Sequence, residues 1–412
     1  MSEFYETAQA IGARLCRDAI WSGPRCNWIG ASMEGLGTWT VVQKSFGPDL
    51  YSGTSGIAIL LAELAALNGE RIFRRTAEGA AAHALSRLGD IPESSRLGMY
   101  SGHIGIAYAL ARTGVRLGIH SLVEQALSIV EEAARLDVNE QGLDVVSGVA
   151  GVIPALLLLD REFHRASLLE LAVRCGEKLE RTASRTEDGW SWKTIDLPGQ
   201  DHDLTGFSHG TAGIAWALLE LAMRTGEHRF REAAGQGFRY ERRWFSAEHG
   251  NWPDFRGGMN AGAASGPSYG VAWCHGAPGI GLSRLRAFEL TGEAECAKEA
   301  AVAVETTARS LAMPGAAQSG YSLCHGGAGN SELLLEYARV IRRPEYRAVA
   351  EKSAREAAAF ENSQSVWPCG VMGGGETPNL LLGTSGIALH YLRMERDDVP
   401  SVLMVGPGAA RL

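Results

Sequence analysis

Two cysteine–histidine pairs, Cys274-His275 and Cys324-His325, are the residues of this sequence with the clearest potential for chemistry. Each pair is followed by glycine and a helix-like run, in WCHGAPGIG and in LCHGGAGN. Thiolate and imidazole ligands suit Zn²⁺ best among the common metals. A helix start beside a thiol also lowers the pKa of that thiol and favours the thiolate. The repetition predicts one metal site that both segments share.

Two cysteines and one histidine would give three ligands and leave the fourth position of a tetrahedral site open, as in catalytic zinc sites. The residues alone do not decide whether His275 or His325 is the third ligand. Seven cysteines in a large chain without an export signal indicate a reducing compartment, which we expect to be the cytoplasm. A disulfide between Cys274 and Cys324 is therefore disfavoured. The matching CHG contexts disfavour buried thiols that only fill space.

Both pairs belong to a longer repeat, in which Gly-x-x-Gly precedes an apolar helix seven times. The first glycines of the copies recur about every fifty residues, at Gly53, Gly102, Gly148, Gly210, Gly276, Gly326 and Gly383. The helices that begin there are apolar on nearly all sides, whereas the segments between them carry one polar face. The pattern predicts seven inner and seven outer helices, with an outer helix ahead of each inner one.

We expect the seven helix pairs to close into a ring, because the last copy is not replaced by the polar cap that an open solenoid needs. The predicted fold class is all-α, an α/α toroid, with residues 1–412 forming a single domain. Glycine at each inner-helix start would allow a positive φ and close backbone approach near the axis. Equivalent positions of the repeat would then meet on one rim.

The rim gains two further candidates from this alignment. His209 directly precedes Gly210, the first glycine of the fourth copy. It has no cysteine beside it and is free to donate or accept a proton. Asp144 lies four residues before Gly148, where an aspartate is a helix cap or solvated loop residue about half the time. Two long stretches, 186–207 and 249–271, run into histidine-bearing copies and are predicted to form the walls of a substrate cleft.

The composition argues against several other classes of protein. The formal net charge is -8 and no block of lysine and arginine could follow a phosphate backbone, so nucleic acid is not an expected partner. No signal peptide is visible and no apolar run approaches the ~18 residues of a transmembrane helix, so membrane insertion is not expected. A carbohydrate-cleaving toroid would need paired carboxylates at its mouth, and Asp144 with Asp254 makes a weaker case than the cysteines.

The segments GFSHGTAGIAWAL, WCHGAPGIG and LCHGGAGN, with the seven glycine helices, resemble the lanthionine synthetase C-like family, the lanthipeptide cyclases. The resemblance extends from LYSGTSGIA to LLLGTSGIALHYL. It implies an α/α toroid with zinc held by Cys274, Cys324 and His325. The implied enzyme adds peptide cysteine thiols to dehydroalanine or dehydrobutyrine and so forms thioether rings. His209 and Asp144 would be the acid and base around the reacting enolate.

The details resemble the cyclase half of the fused class II synthetases. His275 stands where the separate cyclases tend to have tyrosine, and Gly270 where they tend to have arginine. Arg256 is the candidate to replace that arginine, and both His275 and Arg256 are expected to bind substrate. The implied partners are a dehydrated precursor peptide and a dehydratase, either separate or fused ahead of this region. The alternative is a family member that binds glutathione or a peptide cysteine without cyclising it.

Overall fold

Helices dominate the computed structural model of this protein, which describes residues 2–34, 40–196, 201–256, 267–406 and 412. Within these residues, fourteen long helices alternate between an inner and an outer ring. The inner helices are α2 (Thr54–Asn68), α4 (His103–Leu117), α6 (Val149–Phe163), α8 (Thr211–Thr225), α10 (Ala277–Thr291), α13 (Gly327–Ile341) and α15 (Thr384–Glu395). The outer helices are α1 (Glu3–Asp18), α3 (Arg71–Ser86), α5 (His120–Ala133), α7 (Ala166–Thr182), α9 (His228–Arg243), α11 (Ala294–Leu311) and α14 (Pro344–Gln364).

Short elements are attached to this ring. One is the four-residue helix α12 (Ala316–Ser319). The described residues also hold three antiparallel hairpins, β1 (Ile20–Ser22) with β2 (Arg25–Asn27), β3 (Ile29–Glu34) with β4 (Thr40–Ser45), and β5 (Ser184–Thr186) with β6 (Gly189–Ser191). The sequence did not identify these hairpins, because strands of three to six residues are too short for an alternating pattern to stand out.

The inner helices form a closed circle. Each packs against the next inner helix in the chain, and α15 packs against α2. The predicted all-α toroid of seven inner and seven outer helices is therefore confirmed. The predicted pairing was wrong: an inner helix packs most extensively on the outer helix that follows it. The first outer helix, α1, packs on the last inner helix, α15, and so completes the seventh pair.

The burial of the helices explains their two kinds of sequence. Every residue of α2 from Thr54 to Ala65 is buried, because its neighbours in the ring and an outer helix cover it on all sides. The outer helix α7 buries one face, which includes Leu168, Leu171 and Cys175. A helix with one exposed face needs apolar residues only at helical spacing. In the described part of the chain, no helix combines the length and apolar character that spanning a bilayer requires.

A segment beyond α15 packs inside the ring. Val399, Val402 and Leu403 are buried. The hydroxyl of Tyr100, a residue of the rim, donates to the carbonyl oxygen of Val402 at 2.7 Å. Further along, Gly406 lies against side chains of α6 and α8. This segment therefore supports the rim from inside the toroid.

A circle of backbone hydrogen bonds joins the glycine turns at one rim. In six of its seven links, the residue two positions before a first glycine donates its N–H to the carbonyl of the matching residue in the neighbouring turn. These links run from Tyr51 to Tyr100, Tyr100 to Val146, Ser208 to Cys274, Cys274 to Cys324, Cys324 to Leu381 and Leu381 to Tyr51. The seventh runs from Val145 to Ser208. The circle confirms that equivalent positions of the repeat meet on one rim.

The first glycines permit this close approach, but only Gly276 uses a positive φ. Its φ is 97°, whereas the other six lie between -101° and -129°. The positive φ that glycine would allow at each inner-helix start is therefore used at one of the seven. A Cβ at Gly148 would lie 2.2 Å from the amide nitrogen of Asp144, and one at Gly210 would lie 2.2 Å from the carbonyl oxygen of Thr205. The turns require glycine because no side chain fits there.

Candidate functional site

Two neighbouring turns of the rim bring Cys274 and Cys324 side by side. The N–H of Cys274 donates to the carbonyl oxygen of Cys324 at 3.2 Å, so the backbone link passes through the two cysteines themselves. Their sulfur atoms and one ring nitrogen of His325 all lie within 4.8 Å of one another. Both cysteines are free thiols, as predicted. The structure thus brings together three residues that the resemblance implies as ligands.

A backbone carbonyl fixes the orientation of His325. Its Nε2 lies 2.8 Å from the carbonyl oxygen of Gly370. Because a carbonyl oxygen only accepts, this contact assigns the proton to Nε2 and leaves Nδ1 for the cysteine cluster. Metal-binding histidines are commonly oriented in this way. Glycine at position 370 makes room for this contact, since a Cβ would lie 2.9 Å from Nε2 of His325 and 2.7 Å from Oγ of Ser322 and would displace these side chains.

The three groups perturb one another's pKa values. Hydrogen bonds from Cys324 and His325 hold the pKa of the Cys274 thiol well below its usual range. The pKa of Cys324 is raised by its hydrogen bond to the Cys274 sulfur and by burial. The pKa of His325 is raised by its hydrogen bond to Cys274. The hydroxyl of Tyr51 also hydrogen-bonds Cys324. A divalent cation bound to these groups would displace the protons that they share.

The donor set and its spacing fit a zinc ion. A tetrahedral zinc with Zn–S bonds of about 2.3 Å separates its two sulfur ligands by about 3.8 Å. The donor atoms lie within 4.8 Å of one another, so small side-chain shifts would complete that geometry. His275, the other candidate for third ligand, lies outside this group. Three protein ligands leave one coordination position for a substrate atom.

Asp144 and His209 form a hydrogen-bonded pair on the same rim. Oδ2 of Asp144 lies 2.6 Å from Nδ1 of His209. Oδ1 of Asp144 accepts the N–H of Ser147 at 2.7 Å and that of Gly148 at 2.9 Å. Burial raises the pKa of Asp144, but the hydrogen bonds from His209 and from these amides outweigh it and leave the pKa below its usual value. Asp144 therefore both closes the turn that precedes α6 and serves as the partner of a histidine.

The first copy of the repeat shows what the histidine adds. Asp49 occupies the position that matches Asp144 and accepts the N–H of Ser52 at 2.7 Å. In the copy that follows Asp49, the residue before the first glycine is Ser101, whereas in the copy that follows Asp144 it is His209. An aspartate therefore closes this turn at Asp49 without a histidine partner. At Asp144 the added histidine makes the same aspartate part of an acid–base pair.

His275 is a buried imidazole beside this pair. Its ring stacks on the ring of His209 with 5.9 Å between centroids, and the residue is 3 % exposed. Neither ring nitrogen has a hydrogen-bond partner in the described part of the structure. Burial lowers the pKa of His275 to about 4, so the ring is neutral at neutral pH. Gly206 makes room for it, since a Cβ there would lie 3.2 Å from Nδ1 of His275.

Arg256 supplies a cation close to the cysteine cluster. Its Nε and Nη2 donate to the carboxylate of Asp254 at 3.0 and 2.8 Å. Burial lowers the pKa of the guanidinium, but Asp254, Cys274 and Cys324 together raise it. Because both cysteines affect the pKa of Arg256, the guanidinium is close enough to interact electrostatically with their sulfurs. Gly270, where the separate cyclases tend to have arginine, contributes no side chain.

The two predicted cleft walls are described in part, because residues 197–200 and 257–266 lie outside the described ranges. In the first wall, the hydroxyl of Thr194 donates to the carbonyl oxygen of His209. The second carries Arg256, and the N–H of Asp254 donates to the carbonyl oxygen of Ser268 at 2.7 Å. The first wall therefore touches the site at Thr194, and the second contributes Arg256.

Sequence analysis missed two residues that contact the cysteine cluster, Tyr51 and Gly370. Tyr51 shares the repeat position of Cys274 and Cys324, and that alignment could have identified it. Gly370 belongs to no copy of the repeat, and its role depends on the folded contact with His325. No sequence pattern indicates such a contact.

Comparisons with known proteins agree with this architecture. A family model described as "Lanthionine synthetase C-like protein" matches residues 44–404. A Danio rerio protein named "Glutathione S-transferase LANCL1" is 22% identical over 303 residues, which cover 72% of this chain and 71% of that protein.

Two solved structures share the helical toroid. The one titled "Nisin cyclase" has a TM-score of 0.66 and 19% sequence identity, and the match covers 85% of this chain and 90% of that one. The Lin0763 protein from Listeria innocua has a TM-score of 0.52 and 13% identity, over 96% of this chain and 99% of that one. At these identities, the likeness concerns the fold.

Proposed function

This chain belongs to the lanthionine synthetase C-like family, and on that premise we propose that it is a zinc-dependent lanthipeptide cyclase. Its substrate would be a dehydrated precursor peptide, and its product a peptide with lanthionine or methyllanthionine rings. The observation that carries the proposal is the position of the cysteine–histidine cluster on the same rim as the Asp144–His209 pair. A purely structural zinc site would need a fourth protein ligand and no acid–base pair.

Cys274, Cys324 and His325 would hold the zinc ion in this proposal. Zinc bound there would lower the pKa of an incoming peptide thiol and so supply a thiolate nucleophile at neutral pH. The chain orients the ligands itself, through the carbonyl of Gly370 on His325 and the hydroxyl of Tyr51 on Cys324. Such contacts fix the direction of a ligand before the metal arrives.

The proposed reaction forms one carbon–sulfur bond. The thiolate sulfur attacks the β-carbon of dehydroalanine or dehydrobutyrine, and the alkene electron pair moves to the α-carbon and the neighbouring carbonyl oxygen as an enolate. A proton then reaches the α-carbon. Because the thiol loses one proton and the α-carbon gains one, the protein needs only to move a proton.

His209 is the proposed carrier of that proton. Its Nδ1–H donates to Asp144, which fixes the ring and leaves Nε2 to exchange a proton with the substrate. The carboxylate stabilises the imidazolium that forms when Nε2 takes up a proton. Positioned acid–base help of this kind typically contributes ~10²–10⁴ in rate.

Arg256 and His275 are the proposed substrate-binding residues. Asp254 engages Nε and one hydrogen of Nη2 of Arg256, and the remaining guanidinium hydrogens are available to a carbonyl or enolate oxygen. The two buried ring nitrogens of His275 have no hydrogen-bond partner in the described part of the structure, and the proposal assigns them to the peptide backbone of the bound substrate. Both contacts would hold the alkene near the thiolate, where orientation lowers the barrier.

The second candidate function is addition of glutathione, in place of a peptide cysteine, to an electrophilic alkene. The name of the Danio rerio relative favours it. The same cluster would hold the glutathione thiol, and His209 would again move the proton. The two functions differ in whether the nucleophile belongs to the substrate peptide.

One experiment separates these functions. The protein is incubated with a dehydrated peptide that carries a cysteine, with and without glutathione, and the products are alkylated and weighed by mass spectrometry. Cyclisation consumes the peptide thiol without changing the peptide mass, whereas glutathione addition increases the mass. We expect thiol loss at constant mass. If the zinc-loaded protein leaves all peptide thiols unreacted and forms no glutathione adduct, both functions are contradicted.

A further inference from the structure

The Asp144–His209 bond joins two neighbouring turns of the rim. We propose that two buried residues of the outer helices, Lys178 and Glu241, hold these turns in register for proton transfer. The inference rests on the proposed function. Neither residue touches the reacting atoms, so both would be positioning residues.

Lys178 anchors the chain just before the Asp144 turn. The residue lies on α7 and is 5 % exposed. Its Nζ donates to the carbonyl oxygens of Val138 at 3.0 Å and Asn139 at 3.1 Å, and also to that of Gln141. An ammonium group has three hydrogens, and this single stretch of backbone receives all of them. The turn that begins at the next residue therefore starts from a fixed point.

Glu241 anchors the His209 turn at both of its ends. The residue lies on α9 and is fully buried. Its Oε1 accepts the N–H of Gly206 at 3.2 Å and that of Ala212 at 2.8 Å. These two amides lie on either side of His209 in the sequence. One carboxyl oxygen thus spans the whole turn.

The two anchored turns meet at the acid–base pair. The N–H of Val145 donates to the carbonyl oxygen of Ser208 at 3.0 Å, beside the 2.6 Å contact between Asp144 and His209. A continuous path of polar contacts therefore runs from Lys178 through both turns to Glu241. Loss of either anchor would let one turn shift against the other.

The repeat itself points to a role in the pair. Lys178 lies 30 residues after Gly148, and Glu241 lies 31 residues after Gly210, so they are equivalent within one position. At 30 and 31 residues after their first glycines, four other copies hold His83 and Ala84, Glu132 and Ala133, Thr306 and Thr307, and Glu356 and Ala357, of which Glu132 and Glu356 are exposed. A buried lysine or glutamate thus occurs here in the two copies that carry Asp144 and His209.

Both anchors are unfavourable for folding alone. Lys178 places an ammonium group in the interior against carbonyl oxygens, and Oε2 of Glu241 has no hydrogen-bond partner in the described part of the structure. Apolar side chains of similar size would avoid the desolvation of these groups. The hydrogen bonds that compensate for this cost go to the backbone of residues 138–141, just before the Asp144 turn, and to the two ends of the His209 turn, and Arg284 provides a further charge near Glu241.

The test compares single-turnover ring closure by zinc-loaded variants. Lys178→Met removes the ammonium donors, and Glu241→Leu removes the carboxyl acceptor. We expect each to slow ring closure about 10- to 100-fold at unchanged zinc content, because small misplacements of catalytic groups have effects of this size. Glu241→Gln keeps a carbonyl acceptor for both amides and should restore most of the rate.

A buried glutamate remote from the rim provides the matched control. Glu63 of α2 accepts from Arg112 at 2.9 Å and from Arg116 at 2.6 Å. Glu63→Gln should lower the melting temperature and leave the rate of ring closure unchanged. Selective ¹⁵N labelling of histidine adds a readout that does not depend on activity, since loss of the bond to Asp144 changes the proton distribution between Nδ1 and Nε2 of His209.

The outcomes separate this inference from the proposed function. Failure of the zinc-loaded wild-type protein to close rings would count against the proposed function. A wild-type protein that closes rings, with Glu241→Leu closing them equally fast, would overturn the positioning role. If Lys178→Met does not fold, Lys178→Gln, which keeps one donor group, replaces it. An unchanged His209 spectrum in every folded anchor variant would also overturn the inference.

Discussion

The N–H of Cys274 donates to the carbonyl oxygen of Cys324, so the two sulfur ligands of the candidate metal centre lie on turns that are bonded directly to each other. This link is one of seven in the circle of backbone bonds at the rim. The circle consists of backbone hydrogen bonds, which do not involve the sulfur or imidazole donors of the candidate metal centre. We therefore expect the toroid to fold without zinc.

Cys324→Ala should abolish stoichiometric zinc binding, because two remaining ligands hold the ion far less tightly than three. The helical circular dichroism should persist, since the backbone link at residue 324 does not involve the side chain. Zinc is measured by elemental analysis after dialysis. Cys369→Ala is the matched control, because Cys369 neighbours Gly370 but lies outside the cluster. Full zinc content in Cys324→Ala would refute the ligand assignment.

Asp144→Asn should slow ring closure by about 10²–10⁴, because an amide that donates to His209 reverses the proton position on the imidazole. The new side chain still offers an oxygen to the amides of Ser147 and Gly148, so the turn before α6 stays closed. Asp49→Asn changes the equivalent turn, which has no histidine, and should leave the rate within about twofold. Equal rates for both variants would exclude a catalytic role for Asp144.

Gly370→Ala should weaken zinc affinity about 10- to 100-fold, as expected when the contact that orients a metal-binding histidine is disturbed. The added Cβ would lie 2.9 Å from Nε2 of His325 and would push the ring away. A competition titration with a chromogenic chelator measures the change. Gly89→Ala introduces a Cβ with nothing within 4 Å and serves as the control. Identical affinities would show that the Gly370 contact does not position His325.

Because of Glu241, the free energy of unfolding should decrease as pH rises through the neutral range. Burial raises the pKa of this carboxyl from 4.5 to about 8. Between these values the unfolded chain has lost the proton that the folded chain retains, so each rise in pH favours unfolding. Its contribution to stability falls from about pH 4.5 to about pH 8 and is constant above.

Urea unfolding at several pH values tests this prediction. The glutamine of Glu241→Gln does not titrate. The free energy of unfolding of this variant, minus that of the wild-type protein, should therefore increase by a few kcal/mol between pH 5 and pH 8, since one unit of pKa corresponds to about 1.4 kcal/mol. A difference between the two proteins that is independent of pH would show that Glu241 is ionised in the folded state.

The sequence predicted the toroid because repetition and burial leave clear patterns. Helices covered on all sides must be apolar on all sides, and seven copies show this for seven inner helices. The pairing of inner and outer helices could not be predicted, because every loop is compatible with packing forwards or backwards along the chain. Only the folded contact of α1 with α15 decides it.

Some residues of the candidate site could likewise be predicted from the sequence, and others could not. Cys274, Cys324 and His209 share a repeat register, so the prediction that they meet on one rim follows from the fold. The dual role of Asp144 depends on its two carboxylate oxygens, and sequence shows only the capping position. The anchors Lys178 and Glu241 escaped notice because a charged residue within an amphipathic helix is normally assigned to the exposed face.

Zinc K-edge X-ray absorption, recorded before and after addition of a dehydrated cysteine-containing peptide, tests the central claim most directly. The account predicts two sulfur neighbours and at least one nitrogen neighbour before addition, with Zn–S distances of about 2.3 Å. After addition, a third sulfur should appear as the peptide thiol takes the open position, and the thiol should then be consumed. A sulfur count that stays at two throughout ring formation would contradict activation of the thiol by this metal centre.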